Sequence, residues 1–377
     1  MSQKYDVIVI GAGIVGAACA SECASSGLKV LVLDKGPIGG GCTGTCMGHI
    51  VVLDDSEDQF ALTRYSQQLW KELSPDLPKQ AEYAHSGTIW AALDDEEMAE
   101  VHRKYKSYSE QGLDVEVLDN KALLKAEPHL SPDLVGGLLV KQDSVVYPPA
   151  ATYYLLKAGH KKGLDVRTPA EVKVILPDGG VVLSDGAVIR GETIINACGC
   201  RAPDFSVKAP IKMRKGHLAV TERLDGFLNH QVIELGYLKS AHSATGDSAA
   251  FNIHPRKTNQ MLIGSSRQND SEDPSVEHHI LTKMFERAWK YMPDLRDVQI
   301  TRTWTGFRPA TDDKLPLIGR DCDNEKMWIA AGHEGLGITC SLATGKLLCD
   351  MILGRQSAID VKPYSPSRFA EGDCQDA

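Results

Sequence analysis

Three glycines stand at a spacing that suits a phosphate chain. They occur in Gly11-Ala-Gly13-Ile-Val-Gly16, directly after an apolar run. A pyrophosphate needs backbone N–H donors and the positive end of a helix close to its oxygens. The first glycine permits a tight turn, the second lets the backbone approach the phosphates, and the third lets a helix press onto a sheet. Asp34 ends the next apolar run, where a carboxylate accepts hydrogen bonds from ribose hydroxyls and disfavours a 2′-phosphate. Far along the chain, Arg308 precedes Pro309. A planar guanidinium on a stiffened backbone matches a carboxylate bidentately; the alternative is a structural ion pair with Asp312 or Asp313. His333 and Glu334 sit among Gly332, Gly335 and Gly337. A carboxylate there is expensive unless it binds a cation such as a substrate ammonium, or else it is a solvated loop acid. His49 closes another glycine-rich loop, either as a site residue or as a satisfied loop histidine. His254 and Arg256 are further candidates for a pocket wall, whereas Tyr147 reads as packing.

These residues need elements to hold them. Residues 4–10 form a β-branched strand buried on both faces, 17–26 a helix of small residues closed by Gly27, and 28–33 a second buried strand. Strand, glycine turn, helix, strand and acid together make one βαβ unit. Helices are expected over 59–73, 95–111, 122–128, 150–162, 276–292 and 343–353, with a start near Ser341 for the last. Strands are expected over 87–92, 193–197 and 260–266, with a hairpin of 172–176 and 181–183 across Asp178-Gly-Gly180. Apolar strands recur near 195 and 329, so one domain is assembled from several chain pieces, with a β-rich second domain inserted between them.

The 377 residues, 42% of them hydrophobic, can bury a large core. A net charge of −9 without basic clusters excludes a nucleic-acid partner. No apolar run spans a membrane, and the opening residues put an acid and glycines where a leader needs an unbroken apolar stretch; a cytoplasmic protein is expected. The ten cysteines lack metal-site spacing. No metal is expected, and the thiols read as small reduced hydrophobes. No Ser/His/Asp or paired-carboxylate constellation stands out.

NAD and FAD share this cradle. Three features favour FAD. The loop 39–48 is long and glycine-rich, suited to packing beside a flat ring. Residues 193–199 are an apolar strand with a small-residue turn. The loop 331–337 precedes a helix whose positive end suits a reduced, anionic flavin.

The chain resembles the D-amino-acid-oxidase family of flavoproteins, in its glycine and sarcosine oxidase branch. The resemblance is carried by Gly11-x-Gly13-x-x-Gly16, Val146-Tyr-Pro148, Ile195-Asn-Ala-Cys-Gly199, Thr305-Gly-Phe-Arg-Pro309 and Gly332 to Thr339. Cys42-Thr-Gly, Met47-Gly-His49 and Gly332 to Gly337 are similar to the catalytic β subunits of D-hydroxyproline dehydrogenases, with opine dehydrogenase and hydrogen cyanide synthase subunits also related. The resemblance implies an α/β fold: a Rossmann-like FAD-binding domain from 1–85, 142–205 and 300–365, an inserted α+β substrate domain on an antiparallel sheet from 86–141 and 206–299, and a loose tail at 366–377. It implies that Arg308 grips a substrate carboxylate, with His254, Arg256 and Glu334 around the substrate and His49, His333 and Glu334 near the reacting centre. The cofactor contacts it implies are Gly11, Gly13, Ile14, Val15, Gly16, Asp34, Lys35, Gly41, Cys42, Thr43, Met47, Gly48, His49, Val172, Ala197, Cys198, Gly199, Gly332, Glu334, Gly335, Leu336, Gly337, Ile338 and Thr339.

The implied chemistry is oxidation of the C–N bond of an amino or imino acid, D-hydroxyproline or proline-like being favoured, by hydride transfer to flavin N5. The enzyme's task is then orientation and a deprotonated amine. Partner subunits of an electron-transferring complex are implied. The alternatives are a stand-alone glycine- or sarcosine-type oxidase that makes hydrogen peroxide, and a non-catalytic flavin-bearing scaffold subunit. Two departures bear on the cofactor. Residues 141–146 lack the histidine that holds a covalent FMN in related β subunits, which leaves only a non-covalent FMN at a subunit contact. Cys322 lies in a polar turn, so the FAD is expected to be non-covalent.

Overall fold

The computed structural model describes residues 4–236, 247–269 and 271–369. β1 (Tyr5–Ile10) is buried but for Asp6, as its β-branched composition requires. Gly11, with φ of +112°, turns the chain into α1 (Ile14–Ser25), and β2 (Val30–Leu33) returns parallel to β1. Gly27, with φ of +90°, closes α1, and Leu28 N–H donates back to the Cys23 carbonyl.

Around this unit stands a six-stranded sheet in the order 317–320, 327–331, 191–196, β1, β2, 164–167. The strands run parallel except Leu317–Arg320, which pairs antiparallel with Met327–Ala331. The apolar strand near 195 is therefore the immediate neighbour of β1, and the strand near 329 lies one place further out. α1 packs against the helices Pro148–His160 and Gly337–Ile352. Its alanines and cysteines leave little side chain in the way, so the helices approach closely.

A second, eight-stranded sheet runs 300–310, 212–221, 261–269, 248–255, 231–234, 88–92, 136–140, 115–119. Every pair is antiparallel except Gln231–Glu234 with Thr88–Ala92. Helix His278–Tyr291 lays Leu281, Met284 and Ala288 against this sheet, and Tyr291 stacks on Phe251 at 5.3 Å. The fold is thus the α/β arrangement of a dinucleotide-type sheet joined to a largely antiparallel one.

Three details depart from expectation. Ile300–Ala310, assigned by sequence to the cofactor-binding pieces, is the edge strand of the eight-stranded sheet, where ten of its residues pair with Lys212–Thr221. That long ladder outweighs continuity with the strand at 317. The last helix begins at Gly337, four residues before Ser341; the glycines mask its onset, and Trp70 Nε1–H donates to the carbonyls of Ile338 and Thr339 there. The tail is tied down as far as Phe369. Tyr364 is buried and its hydroxyl donates to the Asp58 carbonyl at 2.7 Å, while Arg368 pairs with Asp313. Residues 370–377, including Cys374, lie outside the described residues.

Residues Glu334–Ile352 are long and apolar enough to cross a membrane by length and composition. Here that surface is covered by α1 and by the helix Glu57–Leu73. Gly345 sits at the closest point: a Cβ there would lie 2.7 Å from the Ala18 carbonyl carbon. Gly345→Val is expected to destabilise the fold by about 1–3 kcal/mol through overpacking. The check is a urea denaturation, in which an unshifted midpoint would refute the close contact.

Candidate active site

The turn at Gly11 is built by backbone contact. Gly11 N–H donates to the Leu33 carbonyl at 2.8 Å, and a Cβ on Gly11 would collide with the Ala197 carbonyl. A Cβ on Gly16 would collide in turn with the Gly11 carbonyl. α1 has no side-chain cap at Gly13, so N–H groups of its first turn are left for a ligand; Ile14 N–H reaches the Thr43 hydroxyl at 3.0 Å. Asp34 accepts from Ala12 N–H at 2.7 Å and from Gly36 N–H at 2.8 Å, which fixes its carboxylate beside the glycine turn. An uncapped helix end, side-chain-free backbone and a fixed acid are the donor and acceptor set that the pyrophosphate and ribose of a dinucleotide require.

One open cleft, enclosing about 1330 Å³ of atom-free space, runs from this turn to the eight-stranded sheet. It brings together Gly11, Gly13, Ile14, Val15, Asp34, Gly41, Cys42, Thr43, Met47, His49, Ala197, Cys198, Gly199, Arg308, His333, Glu334, Gly335, Gly337 and Ile338, drawn from five separate stretches of chain. The other expected contacts lie elsewhere. Gly16 and Gly48 are beneath it, where a Cβ on Gly48 would strike the Val146 carbonyl. Lys35 is exposed, and Val172 is buried behind β2 with Ile8 and Leu33. Gly332 is a turn residue with φ of +83°, and Leu336 packs into the helical core. Thr339 acts from behind: its hydroxyl donates to the His49 carbonyl at 2.9 Å, tying the last helix to the loop that carries His49.

Arg308 lies at the sheet end of the cleft. Its Nη1 donates to the Ser266 carbonyl at 3.0 Å. The ion pairs that would make it structural do not form: Asp312 pairs with Lys212 and Asp313 with Arg368. Gly216 makes room for it, since a Cβ there would lie 2.6 Å from Nη1.

Glu334 is neither a solvated loop acid nor placed to receive an ammonium. Its carboxylate is 2.9 Å from Arg214 Nη1 and 3.2 Å from Arg267 Nη2. Burial alone would push its pKa up; Arg267, Arg214 and Arg308 outweigh this and hold it below the usual carboxylate range.

His49 Nδ1 bonds Gln231 Oε1, and its ring meets that of His254 edge-on at 5.3 Å. Burial depresses both histidines, His254 strongly, with His49 and Arg256 adding to the effect. His254 and Arg256 do not face the main cleft. They line a second cavity behind Thr43–Cys46, where Arg256 pairs with Glu82 and lies over the Tyr147 ring at 4.5 Å. His333 is 4% exposed, bonds Thr344 Oγ1 at 2.8 Å, and is pushed by burial down to about 4. Near neutral pH the histidines of the site are therefore uncharged.

Sequence reasoning missed Arg214, Arg267, Leu218, Asn252 and Ser265, which come from neighbouring strands of the eight-stranded sheet. Alternation along those strands marks one face but does not say which face meets a cleft. The thiols are not all inert packing either. Cys42 and Cys200 bring their Sγ atoms to 3.5 Å, and the contact lowers Cys42 to about 7. Cys322 is not among the cleft residues.

The depressed histidines predict acid sensitivity. His333 has a folded-state value of about 4 against 6.5 for the free side chain. Between those values the unfolded chain takes up a proton that the folded one refuses, so stability falls as pH falls from 6.5 toward 4, by up to about 3 kcal/mol. Asp143, which burial pushes up to about 7, acts in the opposite sense. The comparison that isolates His333 is therefore wild type against His333→Gln in urea melts at pH 7 and pH 4.5. The variant should lose less stability on acidification; equal losses would refute the assignment.

Known proteins place this geometry. The family model described as FAD dependent oxidoreductase matches residues 6–351. Glycine oxidase of Geobacillus kaustophilus is 26% identical, with 98% of each chain covered; its crystal structure superposes with a TM-score of 0.87 at 25% identity, covering 97% of this chain and 99% of that one. Hydrogen cyanide synthase subunit HcnC of Pseudomonas aeruginosa is 26% identical over 98% of this chain and 97% of its own. The structure of L-proline dehydrogenase from P. horikoshii gives a TM-score of 0.88 at 25% identity, with 98% of each chain covered. With the cradle, the fixed acid and the full-length match in agreement, the chain belongs to the DAO family of FAD-dependent oxidoreductases.

Proposed function

We propose that this chain oxidises the C–N bond of an amino or imino acid whose carboxylate is held by Arg308. The observation that carries the reading is Arg308 itself, a guanidinium at the cleft wall with a carbonyl contact and, among the described residues, no carboxylate hydrogen-bonded to it. A bound carboxylate supplies the bidentate partner that this geometry lacks. Gly11, Gly13, Thr43 and Asp34 would hold the nucleotide part of the FAD, with the 41–49 loop and Gly335–Ile338 beside the ring. When bound, the flavin supplies a hydride acceptor.

What the protein's own residues add is orientation and a wall that favours the uncharged amine. Arg308 fixes one end of the substrate, which converts the C–H bond's approach into an intramolecular matter. The amine must be unprotonated for its lone pair to assist, and an uncharged His49 beside an apolar wall favours the neutral amine over the ammonium. Among its neighbours, Leu218, Met47 and Ile338 keep the wall apolar.

Within this class the favoured substrate is a secondary, proline-like acid such as D-hydroxyproline, with electrons passed on to partner subunits. Support comes from the relatives named as a proline dehydrogenase and as a synthase subunit. A glycine- or sarcosine-type oxidase releasing peroxide is the second reading, supported by the glycine oxidase relatives. A second flavin, FMN at a subunit contact, has no counterpart cradle among the described residues, and one FAD is proposed.

Anaerobic bleaching of the flavin with a panel of D- and L-amino acids, proline, hydroxyproline, glycine and sarcosine tests the class; an unbleached flavin throughout would favour a non-catalytic scaffold. Peroxide release against dye reduction separates the two readings, and fast oxygen turnover by the isolated chain would sink the dehydrogenase. Arg308→Ala should lower kcat/KM roughly 10²-fold or more while FAD stays bound. Unchanged kinetics would remove the carboxylate anchor.

A further inference from the structure

Four cysteines gather where the cofactor cradle meets the loop 41–49. Cys42, Cys46 and Cys198 line the cleft with Gly199, and Cys200 is the next residue along. Two of the four are engaged with backbone: Cys46 Sγ donates to the Thr43 carbonyl and Cys198 Sγ to the Ile10 carbonyl. Burial pushes both of these thiols up to about 12, so they stay protonated and inert. Cys42 and Cys200 differ. They are half-buried, 158 residues apart in the chain, and their Sγ atoms meet at 3.5 Å. Gly199, with φ of +55°, makes the turn that brings Cys200 against Cys42. The pair is also polarised. Cys200 donates to Cys42, and this hydrogen bond lowers Cys42 to about 7 while it raises Cys200. Near neutral pH much of Cys42 is therefore thiolate, the form that attacks a disulfide. Once Cys42 is capped, its hydrogen bond and its charge no longer raise Cys200, and Arg201 beside Cys200 favours a second thiolate.

We propose that Cys42 and Cys200 are a redox-modification site, which a small-molecule disulfide converts into an intramolecular disulfide that fastens two segments of the cofactor cleft together. The Cys42 thiolate attacks one sulfur of the reagent, whose S–S bond breaks and releases one thiol. Cys200 then loses its proton to solvent and attacks the Cys42 sulfur; the mixed disulfide breaks and a second thiol leaves. The two cysteines give up two electrons and two protons, which the reagent carries away as two thiols. The new bond joins the loop after β2 to the turn after the strand Gly191–Asn196, and these two strands flank β1 on either side. β1 ends between them at the Gly11 turn, so the bond ties together the segments on both sides of the cradle. Local opening of those segments is restrained, and the flavin nucleotide leaves more slowly. The inference is independent of which acid the enzyme oxidises.

The test incubates the FAD-loaded protein with oxidised glutathione. Peptide mass mapping should find Cys42 linked to Cys200, with Cys46 and Cys198 still free thiols. Flavin release on dilution, followed by its fluorescence, should slow roughly fivefold or more in the linked protein, and a dithiol reductant should restore the original rate. In Cys200→Ser the reaction should stop at a glutathione adduct on Cys42, with no slowing that depends on a link. In Cys42→Ser neither adduct nor link should form. Each variant is compared with itself before and after oxidation, so a change in its basal flavin affinity cancels. The proposal is overturned if glutathione adds to neither cysteine, if a different pair links, or if the link forms and flavin release is unchanged.

Discussion

The structure turns on a backbone-to-backbone approach at the end of β1. The Gly11 carbonyl lies under Gly16 while Gly11 itself abuts the Ala197 carbonyl, so three chain segments meet with no side chain between them. This contact sets the angle at which α1 leaves the sheet and leaves its first-turn N–H groups facing the cleft. It also fixes the separation between β1 and the strand Gly191–Asn196, and with it the place where Cys198 and Gly199 enter the wall. A methyl group at either glycine would have to be absorbed by main chain, which cannot shift without moving the sheet.

The same dependence on close packing recurs away from the cradle. Gly48 presses on the Val146 backbone, and Thr339 reaches the His49 carbonyl, so the loop bearing His49 is gripped from two directions. The last helix is held to α1 through Gly345 and to the helix Glu57–Leu73 through Trp70. Elements far apart in the chain therefore share few independent degrees of freedom around the cleft, as a site needs when its groups must be held to within a fraction of an ångström.

Electrostatically the cleft separates into two ends. Near the cradle, Asp34 and the helix terminus balance backbone donors against one acid. At the sheet end, arginines outnumber carboxylates among the described residues, while His49 and His333 are kept neutral by burial. Neutral imidazoles add no positive charge to this end, and among the described residues His49 Nε2 has no hydrogen-bond partner. A group left in that state carries the cost of being buried unpaired.

The amino-acid sequence by itself determined the βαβ unit, the glycine turn, Asp34, and the presence of Arg308 and the 332–337 loop, because each is a local pattern whose physics acts within a few residues. Most helices and strands were legible for the same reason, as with the amphipathic run expected over 59–73, which lies in the helix Glu57–Leu73. Only the tertiary structure decided the rest. It put Ile300–Ala310 into the eight-stranded sheet, sent His254 and Arg256 to a different cavity from His49, and set Arg214 and Arg267 upon Glu334. Those outcomes depend on strand order and register, which are fixed by pairing between segments up to a hundred residues or so apart. A strand's own alternation says which residues share a face; which groups that face meets is settled when the sheets close together.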